Sequence, residues 1–523
     1  MNKFIDLTLI AILTAAILAF AWVGFIAADD WAYSETAMRW LTEGLYVGDT
    51  HWALRHPHVL AIAASYAIFG FGEFQLILPI TIFFLLILLA VYLFLNRHTG
   101  RHAALAACVL LVLTPLMNSN ATMASADITE AFFILSSIFL FWQAKESATP
   151  LRILFCAGIA LGLGWVTRET SAGLIISYGL MFLAGYRYLR RDYLIMASGA
   201  AAVVASEMAY MTAMTGNPLY RYKIDLFMHD SAIQSRAAAA PGSLVMPGVG
   251  EAVSSIPGNV SAHWLVDPFL SILINQEFCL TFWIAIPIAG WLCFAQKADR
   301  GHRDLARFLS VIAVVWFLVI SFGMGLRELP RYFMLPAIIA VILTGIWGAN
   351  YWDAVSRKVL IAVVGGGIIA NILGIYVENR NFLYGERAVA KLIAEHAETV
   401  YTDKRTATLA INLLKFKHLP GTVSSDPPPP GALFLYNPTN VAVGKVNKEK
   451  FDPAAFRPRQ DWTQIWHDDP GRKISGIILE KTGLKQFIPE KIYAKLNYPN
   501  MPLSAYRVPA SDTSKPADMH GVE

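Results

Sequence analysis

Long apolar runs divide the chain, and they constrain its fold more than any other feature. A membrane-spanning helix needs about 20 mostly apolar residues. Charged residues make up only 15% of the chain, whereas a soluble protein carries about 25%. The sequence therefore predicts an α-helical polytopic membrane protein with about eleven transmembrane helices. The runs that meet or approach the required length are 4–27, 74–95, 103–117, 127–143, 153–167, 171–186, 194–214, 269–294, 308–325, 332–349 and 359–376.

The remaining composition excludes several classes of protein. The net charge is +4 and the basic residues are scattered among the loops. No nucleic-acid partner is expected, because a nucleic-acid surface needs clustered Lys and Arg. The four cysteines lie inside or beside apolar runs, which indicates small hydrophobic side chains rather than disulfides or a zinc site. The first run is longer than a signal-peptide core of about 7–15 residues, so we expect an uncleaved first span.

The distribution of Lys and Arg predicts the orientation in the membrane. Cytoplasmic loops are enriched in these residues. With the N-terminus inside, the inner loops hold fourteen of them and the outer loops eight. An odd number of spans then places the C-terminal region outside. We expect a multi-pass protein of the cell inner (plasma) membrane, with its first loop and its C-terminal region on the extracytoplasmic, periplasmic side.

Two domains are predicted. Residues 1–379 carry all the apolar runs, whereas charges and prolines rise in residues 380–523 and no run there could span a membrane. Residues 385–396 have the pattern of an amphipathic helix, and residues 399–402 and 432–436 have the pattern of short strands. The C-terminal part is therefore predicted to be a small soluble α/β domain. The run at 57–70 is too short to span, and we expect it to be a helix at the membrane surface.

The first outer loop, residues 28–73, concentrates ionisable side chains where the first span ends. Such residues at a membrane boundary are costly unless water, a partner or a ligand receives them. Asp29 and Asp30 supply carboxylates that suit a general base. Arg55, His56 and His58 follow and could neutralise an anionic leaving group. A base and a set of cations on one loop favour transfer from a lipid-linked phosphate to a hydroxyl.

This loop resembles the first outer loop of C-superfamily glycosyltransferases, in the branch of the aminoarabinose and protein mannosyl transferases. That branch has an acidic pair followed by a tyrosine, and Asp29, Asp30 and Tyr33 match it. It also has a basic residue followed by two prolines. His56 and the proline after it match that step, but His58 stands where the second proline is usual. Shorter patches resemble the family at residues 69–79, 127, 162–170 and 331–336.

The resemblance implies an inverting glycosyltransferase that uses a polyprenyl-phosphate sugar donor. Asp29 is then the base that activates the acceptor hydroxyl, and Asp30 orients it or holds a metal. No cofactor is required, although a divalent metal would find hard ligands in Asp29, Asp30, Asp127, Glu130 and His56. The residues expected to bind substrate, mostly cations for the donor phosphate, are Tyr33, Arg55, His56, His58, Arg168, Arg221, Lys223, Arg327, Arg331 and Tyr332.

Other functions remain open at the level of the sequence. A flippase or transporter of a polyprenyl-linked substrate is one alternative, although transporters usually show internal repeats and midplane charges. An oligosaccharyltransferase or ligase that uses a lipid-pyrophosphate donor is another, and the same resemblance covers it. The expected partners are the lipid donor, the bilayer, and an acceptor that is a glycan, a lipid or a protein. The protein is expected to be a monomer.

Overall fold

The computed structural model describes residues 3–225, 265–275, 277–324, 329–351, 357–378, 383–439, 457–471, 474–487 and 501–510. The chain forms two compact units. The larger one comprises residues 1–24, 28–244 and 249–379, and the smaller one is built mainly from residues 380–523.

The described part of the larger unit is helical. Its first ten helices are α1 (Lys3–Phe20), α2 (Asp29–Thr42), α3 (His56–Phe69), α4 (Glu73–His98), α5 (Arg101–Leu113), α6 (Pro115–Ala121), α7 (Ala126–Ala144), α8 (Pro150–Thr167), α9 (Ala172–Ala184) and α10 (Arg190–Thr215). The later ones are α11 (Asp267–Ile274), α12 (Thr281–Phe294), α13 (Arg300–Leu318), α14 (Met334–Asn350) and α15 (Arg357–Glu378). This architecture confirms the predicted fold class.

The described residues contain several helices that are long and apolar enough to span a membrane. Seven helices among the described residues are long and apolar enough to cross a membrane, or eight if the bent pair of α5 and α6 counts as one span. The pair bends by 68°, where Thr114 is extended and Pro115 follows it, because the residue before a proline avoids helical geometry. The predicted runs at 171–186 and 269–294 contain shorter apolar helices, whereas the run at 359–376 lies within the 22-residue helix α15.

The first outer loop is folded rather than irregular. Helix α2 begins at Asp29, so both carboxylates lie in its first turn, where the helix dipole favours negative charge. Helix α3 begins at His56, with Pro57 in its first turn, a position that tolerates proline because its missing N–H would be unsatisfied anyway. The run predicted at 57–70 is therefore a helix, with one face buried against the unit.

Small residues allow α8 and α10 to pack backbone against backbone. A Cβ atom added to Gly158 would lie 1.8 Å from the carbonyl oxygen of Met196, and one added to Gly199 would lie 2.2 Å from that of Phe155. Helices in membranes approach this closely only through small residues. The contact fixes the end of α8 relative to α10, and both helices supply residues of the site described below.

The smaller unit is an α/β fold with a mixed sheet. Its strands are β1 (Val400–Tyr401), β2 (Val423–Ser424), β3 (Leu433–Tyr436), β4 (Thr463–Asp468) and β5 (Leu503–Arg507), in the order β2-β1-β3-β5-β4. The first three strands are parallel, and β5 is antiparallel to both β3 and β4. The helices are α16 (Tyr384–His396), α17 (Lys404–Phe416) and α18 (Ile474–Lys481). Asp403 begins α17 by accepting a hydrogen bond from the Thr406 N–H, as N-cap residues do.

Candidate active site

Asp29 and Arg331 form an ion pair at the start of α2. Nη1 of Arg331 lies 3.5 Å from Oδ2 of Asp29, and the two side chains are 35% and 29% exposed. Arg331 lies one turn before α14, in a short 3₁₀ helix that begins at Pro330. The structure thus joins two residues that are 302 positions apart in the sequence. The partial exposure leaves both groups accessible to a ligand.

Two further guanidinium groups, those of Arg55 and Arg168, lie near this pair on its buried side. Arg55 donates a hydrogen bond to the hydroxyl of Tyr33, and both side chains are buried. The guanidinium of Arg168 lies 5.0 Å from the ring centre of Tyr332, and that of Arg331 lies 5.7 Å from the same ring. Tyr332 is therefore placed between two cations, a cation–π arrangement. Three arginines and two tyrosines converge near a single exposed carboxylate.

The electrostatics of this arginine cluster favour an anion. Burial lowers the pKa of Arg168 to about 10, and the positive charge of Arg55 contributes to that shift. Arg168 still carries its charge at neutral pH, because that pKa remains well above neutrality. Burial by itself lowers the pKa of Arg55, but the oxygens of Tyr33 and Glu169 outweigh it and raise the pKa. The cluster thus holds several permanent positive charges close together, and an anionic ligand would relieve their repulsion.

Polar side chains at the start of helix α7 contact Arg168 and the residues around it. Ser125 caps the helix, so that Asp127 stands in the first turn, where it binds Arg168. One turn along, Thr129 lies 3.0 Å from Nδ1 of His58. Glu130 accepts hydrogen bonds from the hydroxyls of Thr170 and Ser171. These contacts hold Arg168 and α3 in place.

His58 and Asp30 are buried in structural positions. His58 is fully buried, and its ring meets that of Tyr33 edge-on with centres 4.5 Å apart. Asp30 is 2% exposed, and its Oδ1 accepts hydrogen bonds from the backbone N–H groups of Ala28 and Trp31. Asp30 therefore fixes the start of α2, and with it the position of Asp29. Its geometry fits the orienting role rather than contact with substrate.

Arg221 belongs to a second cluster and not to the arginines around Asp29. It is fully buried, and it donates to the backbone carbonyls of Leu54 and Val166 at 2.9 and 2.6 Å. It also donates to Glu207 at 3.0 Å and to Glu169 at 2.7 Å. A buried guanidinium with this many internal acceptors has little capacity left for a substrate. The remaining members of this carboxylate cluster are Asp225, 3.5 Å from Arg221, and His56, 3.3 Å from Glu207.

Lys223 and Arg327 are the remaining residues that were predicted to bind the donor phosphate. Lys223 is exposed, and Arg327 lies outside the described residues. Among the residues that the structure describes, no three His, Cys, Asp or Glu side chains are grouped as a metal ion would require. Asp127 is bonded to Arg168, and Glu130 to two hydroxyls. Those two predicted metal ligands are therefore already used within the protein.

Sequence reasoning missed part of the second cluster. Glu169 was missed because the family resemblance of its segment was interpreted through the preceding residue, Arg168, alone. Asp225 was missed although it lies four residues after Arg221. The i, i+4 spacing of Arg221 and Asp225 is a usable signal for an ion pair on a helix. The pairing of Arg221 with Glu169 has no such signal, because the two residues are 52 positions apart.

The chain is similar to several known proteins. Residues 55–210 match the model of the dolichyl-phosphate-mannose-protein mannosyltransferase family. Among solved structures, ArnT from Cupriavidus metallidurans in the apo state shares 13% identity and a TM-score of 0.51, over 86% of this chain and 99% of that chain. The same protein bound to undecaprenyl phosphate gives 14% identity and a TM-score of 0.50, over 88% and 100%. A comparison with curated proteins gave no match.

An archaeal enzyme shares the fold as well. The oligosaccharyltransferase of Archaeoglobus fulgidus in the apo form has 12% identity and a TM-score of 0.51, over 89% of this chain and 73% of that chain. At such identities these similarities show the fold. The family match covers residues 55–210, so over that region the chain is similar to membrane glycosyltransferases, and it shares their fold. The predicted resemblance and the predicted enzyme class are confirmed. The family match runs from Arg55 to Tyr210, so it includes Arg168 but neither Asp29 nor Arg331.

Proposed function

We propose that the protein transfers one sugar from a polyprenyl-phosphate donor to a hydroxyl acceptor, with inversion, on the extracytoplasmic face of the inner membrane. One observation carries the proposal. The partly exposed carboxylate of Asp29 is paired with Arg331, and the buried arginines 55 and 168 lie beside it. A base and a group of cations in one place are what this reaction requires, because a proton leaves the acceptor while an anion leaves the donor.

Arg331 is the cation best placed to meet the donor phosphate. It is 35% exposed, whereas Arg55 and Arg168 are buried and bonded to Tyr33 and Asp127. A guanidinium can bind a phosphate through two parallel N–H bonds. In the proposed complex, Arg331 binds the phosphate directly, and the two buried arginines stabilise its charge from behind.

The chemical step then balances as a single displacement. The Asp29 carboxylate removes the proton of the acceptor hydroxyl as its oxygen attacks the anomeric carbon. The bond between that carbon and the phosphate oxygen breaks, and the lipid phosphate leaves as an anion with the electron pair. The arginines stabilise the negative charge that develops on the phosphate, which is the kind of preorganised stabilisation that contributes most to enzymatic rates.

The relatives support a lipid-phosphate ligand. One of the similar structures is ArnT bound to undecaprenyl phosphate, and the matched family model is named for a dolichyl-phosphate-mannose donor. The similarity to an oligosaccharyltransferase keeps the lipid-pyrophosphate donor as the competing proposal. A screen of purified enzyme against monophosphate and pyrophosphate donors separates the two, since only the correct donor releases its lipid. Conversion of donor to product in detergent also distinguishes an enzyme from a flippase.

The decisive experiment compares cells that lack the protein with cells that express variants of it. Mass spectrometry of surface glycolipids, glycans and glycoproteins should show one sugar missing in the deletion, which identifies both sugar and acceptor. Asp29→Asn should fail to restore it, since removal of a general base lowers rates about 10²–10⁴-fold. Glu35→Gln is the matched control, because Glu35 lies on the same helix and is exposed. Full restoration by an inserted Asp29→Asn protein would contradict the assignment of the base.

A further inference from the structure

An open surface pocket lies far from the candidate active site. It has a volume of about 540 Å³, within the range of roughly 300–1,000 Å³ that ligand sites occupy. It lies where α8 begins, whereas Arg168 follows the last residue of α8. The 18 residues of that helix separate the two places by about 27 Å at 1.5 Å per residue. We call it the interface pocket. Its lining residues are Lys145, Pro150, Gly185, Arg187, Tyr188, Leu189 and Asp192.

Arg187 is held in this pocket by an unusual backbone. Its φ angle is +67°, a left-handed conformation that non-glycine residues rarely adopt and that is costly unless the surroundings enforce it. The guanidinium lies 3.8 Å from the ring centre of Trp142 and donates to the Trp142 carbonyl at 2.6 Å. Its Nε is shielded from solvent and makes no hydrogen bond to the described residues. Arg187 therefore caps α7, and its side chain as a whole is half-buried at the pocket.

Lys145 brings a second cation to the pocket. It is exposed at the end of α7, and no ion pair involves it in the part of the chain that the structure describes. The adjacent Glu146 is paired instead with Arg97 and His98, each at 3.5 Å. The single carboxylate of the pocket, Asp192, accepts a hydrogen bond from the backbone N–H of Leu189. The pocket therefore presents two positive charges, and its one negative charge caps a helix.

Apolar side chains surround the pocket on the outside of the unit. Leu151 is 48% exposed, Leu183 is 68% exposed and Leu189 is 60% exposed. All three belong to or border the apolar helices α8, α9 and α10. In a bilayer such side chains face acyl chains. A ligand in this pocket would thus have cations at one end and hydrocarbon contacts at the other, which is the profile of an anionic lipid at the membrane interface.

We propose that the interface pocket binds the phosphodiester headgroup of an anionic membrane lipid. Lys145 and Arg187 contact the phosphate, and the exposed leucines contact the acyl chains. The proposal is independent of the sugar-transfer reaction. It rests on the pocket, the two cations that line it and the exposed leucines beside it.

The test measures lipid binding to the purified, delipidated full chain by native mass spectrometry. Phosphatidylglycerol should bind, and phosphatidylcholine should bind much more weakly. Lys145→Ala should weaken phosphatidylglycerol binding about fivefold, the effect expected of one basic residue near an anionic lipid. Lys145→Glu should abolish it. Lys297→Ala is the matched control, because Lys297 is also exposed and lies on the same predicted membrane side outside the pocket.

Each alternative result has a defined meaning. Equal binding of the two lipids, or unchanged phosphatidylglycerol binding by Lys145→Ala and Lys145→Glu, would overturn the proposal. Competition by inorganic phosphate as strong as that by phosphatidylglycerol would show that the pocket recognises a free phosphate, and the lipid assignment would then be wrong. Equal thermal midpoints of the wild-type and variant proteins confirm that folding is intact, which the exposure of Lys145 leads us to expect.

Discussion

Replacing Arg221 with methionine should strongly destabilise the protein. The guanidinium is fully buried and donates to two carbonyls and two carboxylates. Its partner Glu207 is only 7% exposed. Methionine fills much of the volume but leaves that carboxylate without its counter-ion. Breaking a buried ion pair from one side costs about 3–5 kcal/mol, so we expect a loss of that order.

The contrast with an exposed arginine makes the expectation specific. Arg39 pairs with Glu35, and the two side chains are 44% and 49% exposed. Pairs of this kind contribute only about 0–1 kcal/mol. Arg39→Met should therefore remain close to the wild type, whereas Arg221→Met should not. The double variant Arg221→Met with Glu207→Gln should recover part of the loss, because it also removes the uncompensated charge.

The assay is unfolding of the purified protein in detergent, followed by tryptophan fluorescence. Trp165 is a local reporter, since its indole N–H donates to the hydroxyl of Tyr222, next to Arg221, at 3.0 Å. Activity should fall together with stability, because Arg221 binds the carbonyls that precede Arg55 and Arg168 in the chain. Equal midpoints for Arg221→Met and Arg39→Met would refute the reasoning. So would a double variant that is less stable than Arg221→Met alone.

Two further predictions concern the pH dependence and the packing. Burial and the nearby charge of Glu169 raise the pKa of Asp225 to about 7. Between about pH 4 and pH 7 the folded protein therefore keeps a proton that the unfolded chain releases. The free energy of unfolding falls as the pH rises through that range. Burial lowers the pKa of His51 to about 4, which has the opposite effect in an overlapping range. The advantage of Asp225→Asn over the wild type should therefore grow by up to about 3 kcal/mol across that range. A difference in unfolding midpoint that does not change with pH would contradict this expectation. Gly199→Ala should lower the free energy of unfolding by about 1–3 kcal/mol, because the added methyl group overpacks the contact between α8 and α10. Gly179→Ala is the control and should be neutral, since its added Cβ meets open space. Equal unfolding midpoints for the two variants would show that the helices separate freely.

The sequence predicted the membrane fold because burial in a bilayer depends on the length and polarity of continuous runs. Each predicted run contains helix in the structure. The ends of the individual helices were harder to predict, because a run does not reveal where a helix bends. Thr114 and Pro115 break one predicted span into two helices, and residues 269–294 hold two separate helices. Breaks of this kind depend on which neighbouring groups accept the freed backbone bonds.

The site was predicted unevenly for a similar reason. Asp29 and Arg331 were both proposed from short motifs, and the structure brings them within 3.5 Å. Arg221 was proposed for the same task, yet its guanidinium is used inside the protein. An arginine at a helix end has the same appearance in sequence whether it faces a ligand or a buried glutamate. Only the acceptors around it, which come from distant segments, decide between the two.

The two clusters together explain why the first loop can hold so many charges at a membrane boundary. Around Asp29 the guanidinium groups of Arg331 and Arg168 pair with the carboxylates of Asp29 and Asp127, whereas around Arg221 a single guanidinium is surrounded by the carboxyl groups of Glu169, Glu207 and Asp225. Glu169 also raises the pKa of Arg55, so the acidic cluster stabilises the charge of the basic one. Most charges near the first loop are thus paired with groups from distant segments, which lowers the cost of holding them at a membrane boundary. The partly exposed pair of Asp29 and Arg331 remains accessible to the proposed lipid phosphate.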